Sequence, residues 1–164
     1  EYHRDPRNIQ THLVGVPLIV LALGVLLAQP ALPVAGAVLT PAWVIFVLIA
    51  GWYLTRGLWA LGLAVSLAVG GLLWAGQWWA ASVSGSVWAW GLGLFVVGWI
   101  IQFVGHYYEG RKPAFADDLV GLLVGPMFVV LELLAMAGLF RDVMQHIEAQ
   151  AGPTRLRDLA QATP

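Results

Sequence analysis

The side chains with the widest chemical reach in this sequence are its four histidines, His3, His12, His106 and His146, each in one of the few polar stretches. His106 lies where a long apolar run closes: Gln102, Phe103, Gly105, His106, Glu109, Arg111, Lys112, Pro113 and Ala114 follow in quick succession. Ionisable groups placed where a membrane helix meets water are functional candidates by default. Neutral imidazole binds iron, zinc, copper or nickel, and a non-haem iron site needs roughly two to four such ligands with open positions for oxygen and substrate. Four histidines at one membrane surface satisfy that need. The competing reading makes each an interfacial polar residue bonded to backbone or lipid headgroup, because no close H-x-x-H or H-E-x-x-H pair forces a metal. Glu109, Arg111 and Lys112 likewise fit the charged loop that a membrane span requires at its cytoplasmic end. Glu132, an acid among Leu, Val and Met, instead calls for a partner, and an Arg or His of the site is the obvious one.

The elements that must position these residues are membrane helices. Of 164 residues, 60% are hydrophobic and 10% charged, with a mean hydropathy of +0.80. The expected fold class is all-α, a polytopic membrane helix bundle of four spans plus a broken or re-entrant helical hairpin. Residues 1–150 form one membrane-embedded domain and residues 151–164 a polar C-terminal tail. The formal net charge of -1 and the lack of a basic run give no reason to expect nucleic acid. With no cysteine, thiolate nucleophiles, iron–sulfur clusters and Cys-type zinc sites are excluded, which leaves His and carboxylates as the strong metal ligands.

Asp5 and Pro6 read as N-cap and first position of a helix running to Ala28. Arg4, Asp5 and Arg7 ahead of the apolar stretch are unlike a cleaved signal peptide, so that helix is expected to be retained. Within it Asn8 and His12 are one turn apart, so the Asn8 amide is expected to orient the His12 ring. Further spans are expected over Val34–Thr55, kinked by Pro41, over Gly57–Trp79 and over Val87–Tyr108. The eight Lys and Arg fall in the N-terminal segment, at Arg56, at Arg111 and Lys112, and in the C-terminal part. That places the termini, and the histidines with them, on the cytoplasmic side. Asp117 and Asp118 are expected to start a last apolar region that Gly125 and Pro126 interrupt. Such a break returns His146 to the side of the other histidines. In the tail, substitution of Arg157 is expected to do little.

The ordered set Tyr2, His3, Pro6, Asn8, His12, Gly15, Pro17, then Gln102, Phe103, Gly105, His106, Glu109, Pro113, Ala114 and a late His146, resembles the Fe(II)-dependent 2-hydroxy fatty acid dioxygenases, membrane enzymes of fatty-acid α-oxidation known from phytosphingosine breakdown. The resemblance implies that His3, His12, His106 and His146 correspond to the essential, metal-binding histidines, with ferrous iron as cofactor. It implies that a long-chain 2-hydroxy fatty acid reacts with O2 and is shortened by one carbon with release of CO2. Asn8, Glu109 and Glu132 are then expected behind the metal ligands, and Arg111 and Lys112 at the substrate carboxylate. The setting is a bacterial inner membrane or endoplasmic reticulum. Two rival readings stay open: a membrane di-iron hydroxylase or desaturase, which would carry about twice as many histidines in close pairs, and a non-enzymatic transporter or assembly scaffold, which would bind no stoichiometric iron.

Overall fold

The computed structural model describes residues 3–113, 118 and 120–159. Among the described residues six helices run in the order α1 (Pro6–Leu26), α2 (Pro41–Leu54), α3 (Trp59–Ser82), α4 (Val87–Glu109), α5 (Gly121–Met136) and α6 (Arg141–Ala151). Between α1 and α2, β1 (Leu32–Val34) and β2 (Ala37–Leu39) pair antiparallel with Leu32 opposite Leu39. Among the described residues, α1, α3 and α4 are long and apolar enough to cross a membrane, and α5 and α6 form a pair bent by 118°. A helical membrane bundle with a bent helical pair is therefore what the chain builds.

Two expected elements differ. The span placed over Val34–Thr55 is the 14-residue helix α2, preceded by the small hairpin. Its shortness follows from two signals: the left-handed pair Ala35 and Gly36 turns the chain, and Pro41 takes the first helical position, where its missing N–H is harmless, so it starts a helix instead of kinking one. The second difference concerns the break near the end of the chain. Gly125 and Pro126 lie inside α5, and the bend falls at 137–140, where Gly138 (φ 88°) and Phe140 (φ 54°) adopt left-handed backbone. Pro126 comes early in its helix and removes a single intrahelical bond, whereas positive φ at two nearby positions cannot continue a helix. Asp118 accepts a hydrogen bond from Val120 N (2.9 Å) one turn ahead of α5, and Asp117 lies outside the described residues.

The chain divides into two compact units, one of residues 17–98 and the other of residues 1–16 with 99–164. The first is mainly apolar inside: Val20, Ala22, Val25, Tyr53, Leu61, Val65, Val69 and Leu73 are buried, with Thr40 and Ser66. Its helices close on glycines. A Cβ at Gly62 would overlap the backbone of Tyr53, and one at Gly76 the backbone of Leu21 and Gly24. Such small residues let backbones approach where lipid offers no hydrophobic drive for helices to associate. The second unit carries all four histidines, and its buried residues are mostly polar: Asp5, Asn8, His12, Gln102 and His106, with Val129 and Leu131.

Candidate metal centre

Helix α1 starts as its sequence dictates. The Asp5 carboxylate accepts a hydrogen bond from Arg7 N (2.9 Å), the N-cap arrangement, while Pro6 fills the first helical position. The Arg7 guanidinium returns to the same carboxylate at 2.7 Å and holds Asp5, only 2% exposed, down to about 2. Ahead of the cap His3 takes a left-handed backbone (φ 63°), which reverses the chain so that the His3 ring comes back over α1. Its Nε2 lies 3.0 Å from Nε2 of His12, two turns along the helix.

His106 comes from the last turns of α4, and Gly105 beside it admits α1: a Cβ there would collide with the Thr11 hydroxyl and lie 2.6 Å from Asn8 Oδ1. His3, His12 and His106 each offer a ring nitrogen, and these atoms all lie within 4.8 Å of one another. Phe128 of α5 stacks on the His3 ring with centroids 4.4 Å apart and covers one side of the group.

The arrangement suits a metal ion. Burial, and then the neighbouring His12 and His106, push His3 down to about 2, so its ring is neutral and keeps its lone pair. His12 Nδ1 donates to the Asn8 carbonyl at 2.9 Å, which fixes the ring and leaves Nε2 as the ligand atom. His106 Nδ1, Asn8 Oδ1 and Gln102 Nε2 are buried without a hydrogen-bond partner among the described residues. Polar atoms left in that state cost free energy unless a ligand, ion or water completes them. The donor set, three imidazole nitrogens in a half-dry setting, fits a divalent transition ion and no alkaline-earth one.

Glu109 is the anchor behind this group. Its carboxylate accepts hydrogen bonds from Arg4 N (2.9 and 3.1 Å), Asp5 N (2.9 Å) and Asn8 Nδ2 (3.0 Å), so one side chain of α4 holds the start of α1. A carboxylate there also meets the positive end of the helix dipole. The Asn8 amide thus serves Glu109, and it is the Asn8 backbone carbonyl that orients His12, contrary to the expectation from their spacing. Glu132, half-buried on α5, lies within electrostatic reach of Arg4 and is not one of the grouped ligands.

His146 stands apart. It is exposed on α6, its Nε2 is 3.1 Å from Gln150 Nε2 one turn on, and it does not belong to the three-histidine group. The chain turns by 118° at 137–140, after the expected break at Gly125 and Pro126, and His146 faces solvent from α6.

A cavity of about 510 Å³ opens beside His106, lined also by Phe103, Gly110, Arg111, Lys112 and Arg157. It is apolar toward α4 and cationic toward the loop. Sequence reasoning passed over Arg4, Asp5, Thr11, Gln102 as a site residue, and Phe128. Gln102 had a signal, since it precedes His106 by one helical turn and shares its face. The polar tail is not free of the bundle either: Arg155 N donates to Arg4 O (2.9 Å), Arg4 Nη1 to Gly152 O (3.1 Å), and Arg157 N to Asp5 Oδ2 (2.9 Å).

Residues 1–137 match the family described as Mpo1-like, 2-hydroxy-palmitic acid dioxygenase Mpo1-like. The chain is 33% identical over 145 residues to the 2-hydroxy-palmitic acid dioxygenase MPO1 of Saccharomyces cerevisiae, covering 84% of this chain and 76% of the relative. No solved structure matches.

Proposed function

The chain belongs to the Mpo1-like family, and from that premise we propose that it is an Fe(II)-dependent membrane dioxygenase that shortens long-chain 2-hydroxy fatty acids by one carbon. The overall change balances without an external reductant: one 2-hydroxy acid and one O2 give the acid one carbon shorter, one CO2 and one water. Iron supplies the one-electron chemistry that lets oxygen in its triplet ground state react with a closed-shell substrate. The observation that carries the reading is the convergence of His3, His12 and His106 within 4.8 Å in a chain of this family.

The protein's own groups divide the remaining work. The three imidazoles hold the ion, and the Asn8 carbonyl fixes His12 so that its Nε2 points at the group. Glu109 keeps His3 and His12 in range by tying down residues 4, 5 and 8. Phe128 shields the His3 ring from water. Arg111 and Lys112, on the cavity beside His106, bind the substrate carboxylate and so bring its 2-hydroxyl carbon to the metal. The acyl tail leaves along the apolar surface of the helices into the lipid, where exposed Phe103 and Val104 continue from the cavity. The clustering of cations around this end supports a cytoplasmic site.

The test is oxygen uptake by protein purified without oxygen and loaded with Fe(II), given 2-hydroxy-palmitic or palmitic acid. Consumption of the hydroxy acid alone, with one CO2 released per O2, is the expected result. Equal turnover of both acids, or none with iron bound, refutes the reading.

A further inference from the structure

The residues after Gly152 lie beyond the matched family region of 1–137, yet they are built into the site. The segment from Gly152 to Arg157 runs along the start of α1 and is held by main-chain bonds: Gly152 O accepts from Arg4 Nη1, Arg155 N donates to Arg4 O, Arg157 N donates to the buried Asp5 carboxylate, and Arg157 O accepts from Arg7 Nη2 (2.9 Å). At Arg157, then, the backbone performs the structural task. The side chain does something else. Its guanidinium crosses Gly110, where any Cβ would collide with it, and forms part of the cavity wall with His106, Arg111 and Lys112. Among the described residues this guanidinium makes no hydrogen bond or ion pair, although it is half-buried. The backbone of Gly110, with φ 70°, leaves the room that the guanidinium fills.

We propose that this C-terminal strap delivers Arg157 as a carboxylate-binding residue, so that the tail of the chain sets the specificity of the site for a free acid. The assignment rests on the reading of the site as one for 2-hydroxy acids. A guanidinium offers a planar pair of donors matched to the two oxygens of a carboxylate, which a lysine cannot reproduce. It also stands on the same cavity as His106, so a head group held by Arg157 lies next to the metal ligands. A tail that merely covered the bundle would need no such cation over a glycine.

Wild-type protein, Arg157→Ala and Arg157→Lys are compared for oxygen uptake with 2-hydroxy-palmitic acid, alone and with its methyl ester, which lacks the charge and the free carboxylate that leaves as CO2, added as a competitive inhibitor, after iron content is measured for each. Arg157→Ala is expected to raise KM for the acid about 10-fold or more, consistent with the loss of a charge-assisted bidentate pair, and to leave inhibition by the ester and the iron content unchanged. Arg157→Lys recovers part of the loss. An unchanged KM for the acid, or equal weakening of acid and ester, overturns the assignment. A readout without any variant is modification of wild-type arginines by phenylglyoxal: 2-hydroxy-palmitic acid should slow reaction at Arg157 and not at Arg56. Equal rates with and without the acid overturn the assignment as well. Wild-type protein that fails to consume the acid refutes the functional reading instead, and the protection measurement still decides whether Arg157 binds it.

Discussion

The two units of the chain bury side chains in different proportions, one mainly apolar and the other mainly polar. Residues 17–98 hide Val, Leu, Ala and Tyr53, and their helices close where Gly62 and Gly76 leave no Cβ in the way. The other unit hides Asp5, Asn8, His12, Gln102 and His106, and ties Asp5 and Asn8 by hydrogen bonds to Glu109, about a hundred positions away. An apolar core tolerates change in proportion to shape and volume. A buried polar set fails when one member is removed, because the partners left behind stay unsatisfied. The first unit is thus scaffold in a physical sense, and the second is a site held at a cost that packing alone would not choose.

Variants can break that contrast. The largest effect is expected for Glu109→Ala, which strips three donors, Arg4 N, Asp5 N and Asn8 Nδ2, of their acceptor and frees the start of α1. Metal affinity should fall about 10- to 100-fold, as is typical when a group supporting a ligand is lost. Thermal stability should fall less than metal affinity, which titration of iron and a melting curve on the same preparation would check. Next comes Gly62→Val in the apolar unit, where the new side chain meets the Tyr53 backbone. It should cost about 1–3 kcal/mol of stability by overpacking, read as a lower melting temperature, while the iron still bound per folded chain stays at the wild-type value. If Gly62→Val instead removed iron from protein that remains folded, the division between scaffold and site would be wrong. The smallest effect is expected for His146→Ala: exposed and paired with Gln150, it should change iron content and oxygen uptake less than about twofold, the range of an ordinary surface substitution.

How much of this was legible in the sequence follows from how local each signal is. The Asp5–Pro6 helix start and the long apolar helices are local or compositional signals, and the structure has them. The pairing of Glu109 with residues 4, 5 and 8 joins residues about a hundred positions apart, and no spacing along the chain reveals it. The same holds for the strap at Arg157, whose bonds are made by main-chain atoms that every residue possesses. Spacing misled at Asn8, where the one-turn offset from His12 is real but the backbone carbonyl makes the bond. It misled again at Pro126, because a proline early in a membrane helix can be absorbed while left-handed Gly138 and Phe140 cannot. His146 shows the limit most clearly, since reversing the chain direction is not enough to aim one side chain at a site.

The central claim is that His3, His12 and His106 hold one metal ion between them. It is tested most directly by iron analysis of protein purified without oxygen, comparing wild type with His12→Ala and His106→Ala after each has been shown to fold. The account predicts about one iron per wild-type chain, the capacity of a single three-nitrogen group, and essentially none in either variant. Full iron in both folded variants, or a folded wild-type protein that takes up no metal at all, would contradict it.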